Sequence, residues 1–514
     1  MSPSTSPGTD FNPELLDALG VNVTRLVADS RLVKPGDTFI AYPGGQADGR
    51  QFIAQAVANG ANAVIWEAHG FSWDAQWNLP NLAVRDLRHH AGAIADHVYG
   101  QPSRKLWTVG VTGTNGKTSC SHWIAQSLGA LGNKAALVGT LGNGFPNDLQ
   151  PAPNTTPDAV SLHGLLAQYL RQGAQAVVME VSSHALAQGR VNGVQYDVAL
   201  LTNLSRDHLD YHGDMDKYAM AKRRLFDWQQ LKYAVLNLDD VFGNELAAQL
   251  QDREIEVVGY GLSEAALEFA ERLGVRMVYG DGLQMNGSGL QMQLHTSWGG
   301  TTLHSGLIGR FNASNLLGTL AVLLVSGVAL PDAVRELERM RAVPGRMQSF
   351  GGSDRPAIVV DYAHTPDALE KVLQTLHEIT AEGGGKLICV FGCGGGRDRG
   401  KRPMMGSIAA KLADTCIVTS DNPRNEEPGE IIAAIVAGMG RANYQIIENR
   451  EQAIMRAIEN ARLEDTVLVA GKGHEAFQEI RDIKYPFSDS EVVQRALQNW
   501  PLRQAQDARG EGRA

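Results

Sequence analysis

GVTGTNGKTS, residues 110–119, joins two segments of different character. Ahead of it runs LWTVGV (106–111), an apolar strand, and after it KTSCSHWIAQSLGALG (117–132) has helical spacing. A strand that enters a glycine-rich turn and opens a helix is a phosphate cradle. Its backbone N–H groups point at the anion, and the helix start adds its positive end. The common pattern puts its first glycine five positions before Gly116, where this chain has Val111. Gly110 and Gly113 can make the turn instead. In this reading Lys117 reaches the β- and γ-phosphates of a nucleotide, and Thr118 or Ser119 supplies a hydroxyl to Mg²⁺.

Working outward, 514 residues suggest about three domains. We place them at 1–103, 104–342 and 343–514. In the first, DTFIAYPGG (37–45) reads as strand then loop, RQFIAQAVANGAN (50–62) as an amphipathic helix and AVIWE (63–67) as a strand, with YGQPSRK (99–105) as linker. The second continues with strands at AVVMEV (176–181), DVALLTNL (197–204) and YAVLNLD (233–239). Strands alternating with helices predict a parallel sheet covered on both faces. GRFNASNLLGTLAVLLVSG (309–327) predicts a strongly apolar helix, followed by the polar RELERMRAVPGRMQ (335–348). The third unit restarts the alternation at AIVVDYA (357–363), LICVFG (387–392), TCIVTSDNPR (415–424) and TVLVAGKGHE (466–475). The fold class is therefore α/β. Ligands in such sheets bind at the carboxyl ends of the strands.

Composition narrows the function. A net charge of -10, from 56 acidic and 46 basic residues, argues against a nucleic-acid partner. Four cysteines (Cys120, Cys389, Cys393, Cys416) in so long a chain point to a reducing compartment. Cys389 and Cys393 either bind metal or are ordinary buried thiols. No apolar run reaches the ~20 residues that span a bilayer. The start, MSPSTSPGTDF, has neither the basic nor the apolar part of a secretory signal. We expect a cytoplasmic protein with disordered ends at 1–12 and from about 503 onward.

Other stretches carry chemistry-bearing residues. In EVSSHAL (180–186), Glu180 can hold Mg²⁺ directly or through water, or it belongs to a solvated loop. TNLSRDHLDYHGDMDKYAMAK (202–222) sets His208 and His212 four apart with Asp207 and Asp210 between them. That spacing fits a metal face on a helix, hence a two-metal hydrolase. It also fits one Mg²⁺-binding histidine beside an ATP site, or plain surface charge. Asn312 can pair with an adenine edge, Asp361 can accept a ribose hydroxyl and Arg346 can neutralise phosphate, although a lone Asn is also a common helix cap. FGCGGGRDRGKRPMMG (391–406), DNPR (421–424) and GKGHE (471–475) mix both signs of charge. Arginine pairs with a carboxylate and Glu takes an ammonium, so a zwitterion suits this set. Ordinary βα loops are the alternative.

Together these motifs resemble the Mur ligase family. Gly113, Thr114, Asn115, Gly116, Lys117, Thr118 and Ser119 carry its phosphate loop. NTTPD (154–158), EVSSHAL, TNLSRDHLDYHG, YAMAK, GRFNASN, GRM, DYAHTPDAL, FGCGGGRDRGKRP, DNPR and GKGHE follow in the family's order over nearly the whole chain. The resemblance implies a small N-terminal α/β UDP-binding domain, a central P-loop ATPase-like parallel sheet and a C-terminal Rossmann-like domain. It implies a soluble monomeric enzyme of peptidoglycan precursor synthesis, using ATP and Mg²⁺. DNPR resembles members that add meso-diaminopimelate to the D-glutamate γ-carboxylate of UDP-N-acetylmuramoyl-L-Ala-D-Glu through an acyl phosphate.

Carried over by position, Ser30, Gly45, Gln46, Ala47, Asn154, Thr155, Thr156, Ser182, Gln188 and Arg190 would contact the UDP-muramoyl dipeptide. Arg397, Asp421, Asn422, Pro423, Arg424, Gly471 and Glu475 would bind diaminopimelate. Asn312, Arg346 and Asp361 would join the phosphate loop around ATP. Lys117, Glu180, His208 and Lys222 would be catalytic. Lys222 would be a carbamate, holding Mg²⁺ with Thr118, Glu180 and His208. The chain departs from the pattern at Gly396 and Arg399, where an acidic residue and a lysine are expected. Rival readings are a ligase for lysine or a folylpolyglutamate-type glutamate, a nucleotide-gated binding protein that hydrolyses ATP, and a metal hydrolase.

Overall fold

The computed structural model describes residues 11–45, 47–352 and 354–510, with side chains as far as Trp500. Residues 1–10, Gln46 and 511–514, on which some sequence expectations fall, lie outside the described residues. The last helix, Asp489–Gly510, continues past 503, where disordered chain was expected.

The N-terminal unit is a four-stranded parallel sheet of β1 (Leu26–Val27), β2 (Thr38–Ala41), β3 (Ala63–Glu67) and β4 (Asn81–Val84), in that order. Its strands are apolar on both faces because both are covered. Ile40 and Ile65 pack with Leu87 and Ile94 on one side, while Phe39 and Val64 pack with Ile53 and Trp66 on the other. The helix expected over 50–62 is shorter: a 3₁₀ turn, Gly49–Phe52, leads into Ile53–Ala58.

The central unit holds eleven strands: β5 (Trp107–Thr112), β6 (Ala135–Gly139), β7 (Gly142–Phe145), β8 (Asp148–Gln150), β9 (Ala176–Glu180), β10 (Val198–Leu201), β11 (Tyr233–Asn237), β12 (Glu256–Gly261), β13 (Arg276–Asn286), β14 (Gly289–Thr296) and β15 (Gly299–Ser305). Their order is β15-β14-β13-β12-β11-β10-β5-β9-β6-β7-β8. The expected parallel sheet is its middle, from β13 to β6. Both edges are antiparallel, because tight hairpins reverse the chain at 140–141, 146–147, 287–288 and 297–298. Helix Arg310–Val325 is apolar all round because it is buried all round. Leu316 and Leu320 share a core with Trp123 and Ile124 of the helix Lys117–Ala130.

The C-terminal unit comprises β16 (Gln348–Phe350), β17 (Ala357–Asp361), β18 (Leu387–Phe391), β19 (Thr415–Val418), β20 (Tyr444–Ile446) and β21 (Thr466–Ala470) in the order β16-β17-β21-β18-β19-β20. All but β16 are parallel. A hairpin of β22 (Phe477–Ile480) and β23 (Ile483–Pro486) stands apart. Asp361 ends β17, and Asp421 and Gly471 follow β19 and β21, so the charged motifs gather at carboxyl ends as the topology requires. In the segment joining this unit to the central one, Gly345 (φ +69°) abuts the GKGHE loop. A side chain on Gly345 would overlap the His474 amide, and one on Gly473 would lie 2.7 Å from the Gly345 carbonyl.

Candidate active site

The phosphate loop needs its glycines. Gly113 and Gly116 have φ of +143° and +85°, and a Cβ on either would run into Thr202 Oγ1 or Asn315 Oδ1. Thr114 Oγ1 lies 3.2 Å from Tyr218 OH, donates to Ser205 O at 3.1 Å and accepts from the Ser205 amide at 2.9 Å. Asn115 Nδ2 donates to Asp367 Oδ2 at 3.1 Å, tying the central unit to the C-terminal one. Lys117 Nζ donates to the carbonyls of Gly113 and Thr114, each at 2.8 Å. Burial lowers its pKa, against the pull of Glu180 and Asp207.

Thr118 Oγ1 donates to Glu180 Oε2 at 3.0 Å and accepts from Arg346 Nη2 at 3.1 Å. Glu180, fully buried, also accepts from the amide and hydroxyl of Thr140 at 2.8 and 3.0 Å. Hydroxyl and carboxylate oxygens side by side, next to a phosphate loop, suit Mg²⁺. Lys222 is buried and donates to Gly113 O at 2.7 Å. Burial, then the neighbouring Lys117, hold its pKa well below the lysine range. As an amine it offers no charge to a cation; as a carbamate it would.

His208, at φ +54°, precedes the single turn Leu209–His212. Burial holds its pKa at about 3 despite Asp207, whose Oδ2 lies 3.3 Å from Nε2. His364, 3.8 Å from the same oxygen, is held at about 4 by burial. Burial opposes ionisation of Asp207, yet its pKa is about 2. The lowering comes from His364 and His208, with Lys401 and the His208 amide adding to it.

His212 does not share a metal face with His208: its Nε2 is engaged with Ser183 Oγ at 3.0 Å. Among the described residues no three His, Cys, Asp or Glu side chains are disposed to hold a metal. The two-metal hydrolase reading loses its geometry. Cys389 and Cys393 are free buried thiols; Cys389 sits in register with Cys416, and Cys393 Sγ meets Met405 Sδ at 3.7 Å.

One cavity of about 540 Å³ joins these groups. Thr114 to Ser119, Glu180, His208 and Lys222 line it, with Asn312, Arg346 and Asp361. Asn154, Thr155, Thr156, Ser182 and Arg190 line it too. Gln188 does not; its Oε1 accepts from Arg190 Nε at 2.8 Å and so aims that guanidinium. Asn312 Nδ2 is held by Ile308 O at 2.8 Å, and Asp361 Oδ2 accepts from the Met347 amide at 2.7 Å. Ser30 and Ala47 line a separate cavity of about 450 Å³ in the N-terminal unit, where Ser30 Oγ donates to Gln55 Oε1 at 2.7 Å; Gly45 lies outside its lining.

Of the seven residues assigned to diaminopimelate, only Arg397 lines the large cavity. The other six cluster after β19 and β21. Asn422 Nδ2 donates to Glu475 Oε2 at 2.7 Å. Arg424, at φ +51°, reaches the hairpin. A Cβ on Gly471 would lie 2.5 Å from Asp421 Oδ2. The two departures from pattern meet one carboxylate: Glu426 accepts from the Gly396 amide at 2.6 Å and lies 3.2 Å from Arg399.

Sequence reasoning missed Lys472, Glu479 and Arg450. Lys472, inside GKGHE, had a signal in its motif. Arg450 had none: it is wholly buried, pairs with Asp489 thirty-nine positions on, and donates to the carbonyls of Ser420 and Ala470. Those carbonyls sit one residue before Asp421 and Gly471, so one guanidinium ties the two loop-bearing strand ends together.

Three family models match in sequence order: Mur ligase family, catalytic domain (22–99), Mur ligase middle domain (111–323) and Mur ligase, glutamate ligase domain (345–473). A UDP-N-acetylmuramoyl-L-alanyl-D-glutamate--2,6-diaminopimelate ligase of Chromobacterium violaceum is 53% identical over 495 residues, covering 96% of this chain and 98% of the relative. A protein of the same name from Nitrosomonas europaea is 51% identical, covering 94% of each. A solved structure of that name is 37% identical, with TM-score 0.65 over 93% of this chain and 95% of that one. Folylpolyglutamate synthase of Mycobacterium tuberculosis, solved with ADP and AMPPCP, shares the fold at 17% identity, with TM-score 0.56 over 74% of this chain and 91% of that one. Among the described residues no helix is long and apolar enough to cross a membrane. With its motifs in order, its loop built as they require and relatives matching over nearly its full length, this chain belongs to the Mur ligase family.

Proposed function

We propose that the chain joins meso-2,6-diaminopimelate to the D-glutamyl γ-carboxylate of UDP-N-acetylmuramoyl-L-Ala-D-Glu at the expense of ATP, acting as a cytoplasmic monomer in peptidoglycan precursor synthesis. The observation that carries this is the shared cavity. The phosphate loop, Arg346 and Asp361 face the same space as Asn154, Thr156, Ser182 and Arg190, so a nucleotide and a carboxylate can meet there. Relatives matching along the whole chain bear the corresponding name.

An amide does not form from a free carboxylate in water, so activation comes first. A γ-carboxylate oxygen attacks the γ-phosphorus of ATP, the bond to the β-phosphate oxygen breaks, and ADP leaves. The amine nitrogen then attacks the acyl carbon, phosphate departs with the shared oxygen, and the nitrogen loses a proton. Lys117 would exchange its carbonyl partners for phosphate oxygens and offset the charge gathered there. Arg190 would hold the carboxylate end of the dipeptide and Arg346 the phosphate side. Thr118, Glu180, His208 and carbamylated Lys222 would hold Mg²⁺, which when bound neutralises phosphate charge. At the far cluster, Arg424 would receive the distal carboxylate of diaminopimelate and Glu475 its ammonium.

The test is phosphate release with ATP and the UDP-muramoyl dipeptide, with diaminopimelate, lysine, glutamate or no amine. Release that depends on diaminopimelate, with the tripeptide product by mass, is the expected result. Equal release without any amine overturns the reading.

A further inference from the structure

Lys472 lies between the glycines of GKGHE, and its side chain is entirely buried. It does not line the large cavity. Its Nζ donates to Asn422 Oδ1 at 3.0 Å and to Glu475 Oε2 at 2.8 Å. Asn422 Nδ2 closes the triangle on the same Glu475 oxygen at 2.7 Å. Asn422 Oδ1 takes a second donor, the Glu479 amide of the β22–β23 hairpin, at 2.9 Å. The carboxamide is thereby oriented without ambiguity: two donors face its oxygen and a carboxylate faces its nitrogen. Both bonds to Glu475 fall on Oε2, which leaves Oε1 for a ligand, and the side chain keeps 18% of its surface exposed.

Burying an ammonium is costly, and packing alone would be served better by an apolar side chain. Here the ammonium joins the DNPR loop to the GKGHE loop, and Asn422 carries the link on to the hairpin through the Glu479 amide. All three surround the place assigned to the amine substrate. We infer that Lys472 is a positioning residue for that amine: it fixes Asn422 and Glu475 in the geometry that receives the zwitterion and never touches the substrate itself. This rests on the ligase reading above.

Lys472→Met keeps the length and removes the charge. The expected result is a KM for diaminopimelate raised about 20-fold or more, with kcat recovered at saturating amine and the KM values for ATP and the dipeptide within about twofold of wild type. Because Lys472 acts through its partners, Lys472→Met added to Asn422→Ala should change that KM by less than about threefold. Where Lys472→Met alone does not fold, Lys472→Met with Glu475→Gln, which leaves no unpaired charge, should match Glu475→Gln alone within about threefold. An unchanged KM for diaminopimelate, an equal rise in all three KM values, or full multiplication in the double variants overturns the inference. Wild-type phosphate release indifferent to diaminopimelate overturns the ligase reading and this inference with it. Amine-dependent wild type beside an unaffected Lys472→Met overturns the inference alone.

Discussion

Arg424 Nε donates to Glu479 Oε2 at 3.0 Å, and its Nη1 donates to Gly395 O at 2.8 Å. The hairpin thus takes Nε and the Gly395 carbonyl takes Nη1, which leaves Nη2 for a carboxylate. Diaminopimelate differs from lysine by one such carboxylate. A hydrogen bond to a charged group contributes roughly 1.5–3 kcal/mol, and 1.4 kcal/mol is about tenfold. Arg424→Ala should therefore lower the diaminopimelate-to-lysine ratio of kcat/KM by about 10- to 100-fold. Affinity for ATP should hold. A ratio left unchanged in the variant removes Arg424 from the specificity determinants.

Lys117→Ala should abolish ligation, by about 10³-fold or more in kcat, as expected where electrostatic stabilisation dominates. Its partners are two carbonyls of its own loop, which water can satisfy, so the thermal midpoint should move little. Near-normal turnover would falsify the assignment.

Burial, then Lys117, push the Lys222 pKa well below the lysine range, which favours the neutral amine that adds CO₂. We predict a carbamate on Lys222, visible as a bicarbonate-dependent rise in activity. Lys222→Ala should lose most activity and all of that dependence. Undiminished activity in Lys222→Ala, with bicarbonate equally effective, counts against the carbamate.

Glu426 is held at about 2 by its hydrogen bonds to Arg402, with the Gly396 amide and Arg399 assisting, against a small burial cost. A depressed carboxylate stabilises the fold fully above its unfolded value near 4.5 and loses that contribution as pH falls toward 2. Glu426→Gln should lower the stability by about 1–3 kcal/mol at pH 7. The gap in thermal midpoint between the two proteins should shrink as pH drops from 5 to 3. A gap constant over that range would mean the ion pair contributes nothing.

Asp489→Ala leaves the wholly buried Arg450 guanidinium without its carboxylate. Breaking such a pair by one partner costs about 3–5 kcal/mol. The midpoint of urea unfolding should fall accordingly, while replacing both with apolar residues should recover much of the loss.

How much of this was legible in the sequence follows from where the information sits. The phosphate loop was readable because strand, glycines, lysine and helix are consecutive. So were the loops after β19 and β21, since each follows an apolar run. The antiparallel edges were harder. Segments such as GLQMN (282–286), the outer end of β13, alternate exposed and half-buried residues, a weaker signal than the buried middle strands. The His208–His212 spacing misled because four apart aligns side chains only inside a helix, and His208 stands before it in the left-handed region. Arg450 and Glu479 were unreadable, since their partners lie 20 or more positions away, and the motif that holds Lys472 does not show that Asn422, 50 positions back, is its partner.

The abutment of Gly345 on Gly473 has a mechanical meaning. Gly345 belongs to the chain that passes from the central unit to the C-terminal one, and its neighbour Arg346 reaches Thr118. Backbone lies against backbone here with no side chain between, so the Gly345 segment and the GKGHE loop pack directly on one another. A shift of Arg346 would therefore be felt at the loop that carries Glu475. Even Gly345→Ala, a change of one methyl group, would push the two segments apart, since that methyl would overlap the His474 amide.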